Sequence, residues 1–117
     1  MNTLKSIAFA SIVLGLGCAG SPSHSKEIAD ARSAIRGAEE VGAKNEPKAA
    51  LHLQLAEEAL TAAEDDIREG EDENARMRLE RAKVDAELAI ALTHEAHMRE
   101  KAEHVRDRLD SLENESL

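Results

Sequence analysis

An all-α fold is what this chain predicts: an antiparallel helical hairpin grown into a three-helix bundle, coiled-coil-like, with a long C-terminal helix projecting past the rest. Three observations lead there. Asp72 to Leu112 is a stretch of about forty residues without Gly or Pro, enough for a helix of roughly 60 Å at 1.5 Å per residue. Apolar residues recur in steps of three and four through three separate stretches, the signature of amphipathic helices. The breakers between those stretches, Gly42 with Pro47 and then Gly70, stand where short connections turn the chain back on itself.

Taken in order, Lys5 precedes the apolar run Ile7 to Leu14, followed by Gly15, Leu16, Gly17 and Cys18. A basic start and about ten apolar residues ending in small ones read as a secretory signal over 1–17, because a bilayer span needs about twenty. Cys18 is the sole cysteine, so no intrachain disulfide can form. Its place after the run, with Gly17 before it and Ala19, Gly20 and Ser21 after it, resembles the lipobox of bacterial lipoproteins, although Gly15 and Leu16 stand in swapped order. That resemblance implies acylation at Cys18, each buried CH₂ of palmitate-like chains adding about 0.8 kcal/mol of membrane affinity. It also implies sorting to the outer membrane of a Gram-negative cell, since Ala rather than Asp follows the cysteine. The alternative is an ordinary cleavable signal cut near Ala19. Residues 18–25 then form a flexible polar tether, and 26–117 the helical bundle.

Ser25 offers a hydroxyl for an N-cap. Behind it Ile28, Ala31, Ile35, Ala38 and Val41 share one face of a first helix over about 26–42, which Gly42 ends. Pro47, where a missing N–H costs nothing, opens a second over about 46–69. Its stripe Ala49, Leu53, Ala56, Leu60, Ala63 and Ile67 steps four and three, and Leu51, Leu55, Ala59 and Ala62 make an adjacent stripe that implies a second neighbour.

Gly70 turns the chain into a third helix over about 72–112, antiparallel to the second. Ala75, Leu79, Ala82, Ala86, Ala89, Thr93 and Ala96 form its first stripe. Val84, Leu88, Ala91, Met98, Ala102, Val105, Leu109 and Leu112 form a later one, broken by Glu95. Two stripes between Leu79 and Met98 imply two neighbours there, and past Met98 only a seam remains. The first helix, antiparallel to the second, is expected to fill the groove. Because the third helix outruns the second by roughly 18 residues, Met98, Ala102, Val105, Leu109 and Leu112 are the candidate interaction residues. A lone amphipathic helix is marginal in water, so that seam wants an envelope protein or a second copy.

Composition excludes several functions. The only aromatic residue is Phe9, so a chain without its leader has no ring on which to stack a base, sugar or flavin. A formal net charge of −9 disfavours nucleic acid and anionic lipid surfaces, which require basic patches. Ala and mixed charges spaced between stripes suit long helices rather than disorder. No Gly-rich phosphate loop, no further thiol and no Ser/His/Asp set stands out, so a non-enzyme without cofactor or small-molecule substrate is expected.

Two clusters invite metal. Glu64, Asp65, Asp66, Glu69, Glu71, Asp72 and Glu73 crowd the second turn, but a calcium loop counted from Asp65 fails at Ile67 and Arg76. Solvated carboxylates, with Asp72 and Glu73 complementing a helix dipole, are the expectation. His94, His97 and His104, with Glu100 between, would need ligands from another helix to hold zinc or nickel, and are read as surface histidines beside the seam.

Several segments together, Ile28-Ala29-Asp30-Ala31-Arg32, Ala38-Glu39-Glu40-Val41-Gly42-Ala43, Pro47 with its Leu/Ala helix, Gly70 with an acidic turn, and Asp85-Ala86-Glu87-Leu88-Ala89, resemble a family of short helical cell-envelope lipoproteins. That family is labelled a domain of unknown function and often stands ahead of an OmpA-like peptidoglycan-binding domain. The chain shows no such domain before Leu117 and no terminal Lys like that of murein lipoproteins, so neither route to the cell wall is expected. The resemblance implies an outer-membrane-anchored structural or adaptor role facing the periplasm. A soluble periplasmic tetratricopeptide-like binding module is the alternative, though one helix pair stands where about three repeats are normally needed.

Overall fold

The computed structural model describes residues 23–117; the leader expected over 1–17 and Cys18 lie outside the described residues. Three helices carry nearly all of that chain: α1 (Ser25–Glu40), α2 (Pro47–Glu69) and α3 (Asp72–Glu115), with a single 3₁₀ turn at Ala43–Asn45 between the first two. At 44 residues α3 is roughly 66 Å long, nearly twice α2 with its 23.

The connections follow from backbone chemistry. Gly70 adopts φ 80°, a left-handed conformation that costs glycine little, and there the Glu71 N–H donates to the Asp66 carbonyl at 2.8 Å and the Gly70 N–H to Ile67 at 3.2 Å. This pairing satisfies carbonyls that the end of α2 leaves open. Gly42, at φ 89°, ends the α1 side in the same way. There α1 stops at Glu40, two residues before the expected end, because Val41 and Gly42 already bond back to Gly37 and Glu39 while the chain tightens into the 3₁₀ turn. Pro47 opens α2 as expected. At the other end α3 continues three residues past Leu112, since nothing in Glu113–Glu115 breaks it.

The start of α1 differs from expectation. Ser25 is the first helical residue rather than the cap, and its hydroxyl lies 2.8 Å from that of Ser23. His24 precedes the helix instead. It is buried, its carbonyl accepts from the Ile28 N–H at 2.9 Å, and its Nε2 lies 3.1 Å from Asp72 Oδ1 at the start of α3. The starts of α1 and α3 are thereby tied side by side, so these two helices run parallel, with α2 antiparallel to both.

The core is narrow because it is mostly alanine. From α1 come Ala31, Ile35 and Ala38, from the 3₁₀ turn Ala43, from α2 Ala49, Leu53, Ala56, Ala59 and Ala63, and from α3 Ala75, Leu79, Ala82, Ala86 and Ala89. Leu53, Leu79 and Thr93 are the largest side chains fully buried in it. Such small groups let helix backbones approach toward the short end of the usual 8–10 Å separation. Thr93 closes the core on α3, and its hydroxyl donates to the Ala89 carbonyl at 2.8 Å, so burial leaves no unpaired group. Half-buried Leu60 packs on both halves of this core, with Ile28 and Ile67 at one end and Ala34, Ile90 and Leu92 at the other.

One expectation fails here. Both α1 and α2 pack on the same first stripe of α3, and α1 leans more on α3 than on α2. The second stripe of α3 therefore has no neighbour, with Val84 51% exposed and Leu88 40%, while that of α2 is covered only in part: Leu51 is 56% exposed, Leu55 and Ala62 are half-buried and Ala59 is buried. Alanine explains the discrepancy, because a stripe this thin lets two helices share one face of a third where bulkier residues would need separate faces.

Candidate functional site

At 3.6 residues per turn, the second stripe of α3 lies on the side roughly opposite Ala75, Leu79, Ala82 and Ala86. It begins at Met77, which the periodic reading missed, and runs through Val84, Leu88, Ala91, Met98, Ala102, Val105, Leu109 and Leu112. All nine are exposed, including Met98 at 63% and Leu109 at 61%. The five expected interaction residues are thus the distal half of a longer band whose proximal half is also open. What could have revealed this in sequence is phase: the steps from Val84 onward are four and three without interruption, Glu95 included, a seven-residue repeat rather than two separate packing faces.

The front of α3 changes character where its neighbours end. Ala96 is half-buried, and beyond it that face carries Glu100, His104, Asp107 and Ser111, all exposed. Polar residues there cost nothing because no helix lies opposite. The rod past His97 therefore has one apolar side, and it is the outer one.

Beside the proximal half of the band, α2 and α3 enclose an open groove lined by Leu55, Glu58, Ala59, Ala62, Asn74, Met77, Arg78 and Arg81. Its floor is the second stripe of α2. The charged side chains of Glu58, Arg78 and Arg81 rim it.

Part of the acidic turn is paired, between helices at Glu64 and Asp66 and within α2 at Asp65. Arg32 Nη2 bonds Glu64 Oε1 at 2.6 Å, Arg78 Nε bonds Asp66 Oδ2 at 2.6 Å, and Arg68 pairs with Asp65. His52 Nδ1 and Asp85 Oδ1, 3.0 Å apart, make a second link between α2 and α3. The Arg32–Glu64 pair joins α1 to α2, and the Arg78–Asp66 and His52–Asp85 pairs join α2 to α3 across their edges. Neither His24 nor His52 stood out in the sequence, because pairing partners 33 and 48 positions away carry no local signal. His97 and His104 border a shallow depression with Glu100 and Lys101, while His94 stands apart from it. Among the described residues no group of three or more His, Cys, Asp or Glu side chains is placed to hold a metal ion. No helix there is long and apolar enough to cross a membrane.

Fold and surface together define an all-α hairpin bundle with a protruding, one-sided rod. The chain belongs to the family described as a domain of unknown function, DUF4398, whose match covers residues 26–105, all three helices and the rod as far as Val105. No curated protein and no solved structure matches it.

Proposed function

We propose that this is an exported lipoprotein, acylated at Cys18 and held at the outer membrane on its periplasmic side, where its non-catalytic bundle serves as a structural or adaptor component of the envelope. The leader and its cysteine supply the address; the observation that carries the role is the exposed seam from Met98 to Leu112 on a helix that outruns its bundle. An apolar strip of that length in water is an unmet demand for a partner. The tether to Cys18 begins just before His24, which is fastened to Asp72, so the membrane-proximal end of the molecule is the end opposite the rod tip. Pull from an anchor would then reach α3 directly through the start of α1.

Labelled palmitate and membrane fractionation test the reading. The wild-type chain is expected to take up label and pellet with the outer membrane, its processing blocked by globomycin, while Cys18→Ala loses label and leaves the membrane fraction. An unlabelled wild-type chain that stays in the soluble periplasmic fraction would refute it.

A further inference from the structure

We propose that the seam is covered by a second copy of this chain lying antiparallel, the rod of each α3 along the outer face of the other's bundle, with a two-fold axis passing near Ala96 and His97. This deepens the reading above by naming the occupant of the surface, and it rests on α3 rather than on the anchor.

Length makes the fit. The seven-residue spacing continues through a bundle half, about Arg81 to Ala96, and a rod half of about the same length ending at Leu112, with Arg81 and Glu95 as its charged positions. Both halves are exposed on the same outer side, so one rod covers one bundle face and the exchange is mutual over about four heptads. In this register Leu88 meets the partner's Val105, Val84 the partner's Leu109, and Ala91 the partner's Ala102. The partner's Leu112 comes to rest by Arg81, at the mouth of the groove floored by Leu55, Ala59 and Ala62.

Charge chooses the orientation. Along the rod the seam is flanked by bases, Arg99 and Arg106 on one side and Lys101 and Arg108 on the other, while Glu100, Glu103 and Asp107 occupy the far face. Among the described residues Lys101, Arg106 and Arg108 make no ion pair. Along the bundle half the same flanks carry acids, Glu87 on one side and Asp85 on the other. Antiparallel pairing sets Glu87 against the partner's Arg108, twice by symmetry, while Asp85 stays with His52 and Arg81 of its own bundle. Glu87 is 58% exposed and only loosely engaged with Lys83 at 3.9 Å, so it has room to turn outward. A parallel, in-register pair would instead stack Glu95 on the partner's Glu95 and set Lys101 beside the partner's Arg106. Shifting the antiparallel pair one heptad toward the tip would place Lys101 and Arg99 each against its own copy. Both alternatives bring like charges together.

The pairing has a geometric consequence. The two α3 starts lie about 75 Å apart at opposite ends, so a dimer tethered through both chains lies along a membrane rather than standing on it.

The test uses the full chain carrying Cys18→Ser, with Leu88→Cys and Val105→Cys introduced separately, mixed in equal amounts and mildly oxidised. The mixed 88–105 disulfide is expected to form at least roughly tenfold faster than either self-linked product, since facing seam positions bring Cα atoms within disulfide reach. Dominant 105–105 linkage would overturn the orientation, and no linkage would overturn the pairing. Sedimentation supplies the second arm: Glu87→Arg is expected to weaken the dimer by about tenfold and Glu87→Arg with Arg108→Glu to restore it. An unaltered dimer in the first variant, or no recovery in the second, contradicts the register. Neither arm depends on acylation, so failure of the anchor would show in fractionation and failure of the pairing here.

Discussion

Leu79 and Ala82 show how stability is divided among single side chains in a core this thin. Leu79 is 1% exposed and stands where α1 and α2 both reach α3, so Leu79→Ala is expected to cost about 2–5 kcal/mol, read as a fall in the urea midpoint. Ala82 has no exposure at all, and Ala82→Leu is expected to destabilise by about 1–3 kcal/mol despite adding apolar surface, because the extra atoms must push helices apart. A neutral or stabilising Ala82→Leu would mean the helices are not held close by alanine. At the surface, Lys26 Nζ bonds Asp30 Oδ2 at 2.6 Å one turn along α1. The hydrogen bond from Lys26, reinforced by its charge, holds the Asp30 carboxyl below the ordinary aspartate value, and the same bond raises the Lys26 ammonium above the ordinary lysine value. The carboxylate's small contribution is therefore complete above the ordinary aspartate range and fades as pH falls through its lowered pKa. The ammonium's is complete below the ordinary lysine range and fades as pH rises through its raised one. Carboxyl NMR titration is expected to show Asp30 moving back up in Lys26→Ala; an unmoved Asp30 would contradict the pair.

At the level of elements, α3 is two helices in one: a bundle half whose front is core, and a rod whose front is polar. Ending the chain after Lys101 removes only exposed residues, so the thermal midpoint at dilute concentration is expected to shift by less than about 3 °C, the scale of a ΔΔG well under 1 kcal/mol in a domain of this size. A larger loss would show that the distal rod packs on its own bundle. The helices and their breakers were legible in sequence because Gly42, Pro47 and Gly70 act locally, and so were the first stripes, because Ala and Leu at steps of three and four admit one face. The fate of the second stripes was not. Periodicity says that Val84 and Leu88 share a side of α3, but only the closeness allowed by alanine decides that α1 and α2 both fit on the other side. The candidate site was thus half legible: Met98 to Leu112 from length alone, its continuation back to Met77 only once the packing was in view. His24 displacing Ser25 from the cap position depends on Asp72, 48 residues away, which no local pattern encodes.

For the whole molecule, the described residues form a short bundle at one end and an unsheathed rod at the other, the arrangement on which the proposed spacer role rests. Its narrow core follows from the choice of alanine over bulk, and its one-sided tip from the greater length of α3 over α2. Everything proposed about its role requires that α3 run straight on past Thr93, carrying its seam away from the bundle. The most direct measurement is an electron spin–spin distance between labels at Glu73→Cys and Glu113→Cys in a chain carrying Cys18→Ser, diluted with unlabelled chain so that distances within one copy dominate. A continuous helix predicts about 60 Å at 1.5 Å per residue. A dominant distance below about 35 Å, as when the last residues fold back onto α1 and α2, would contradict it.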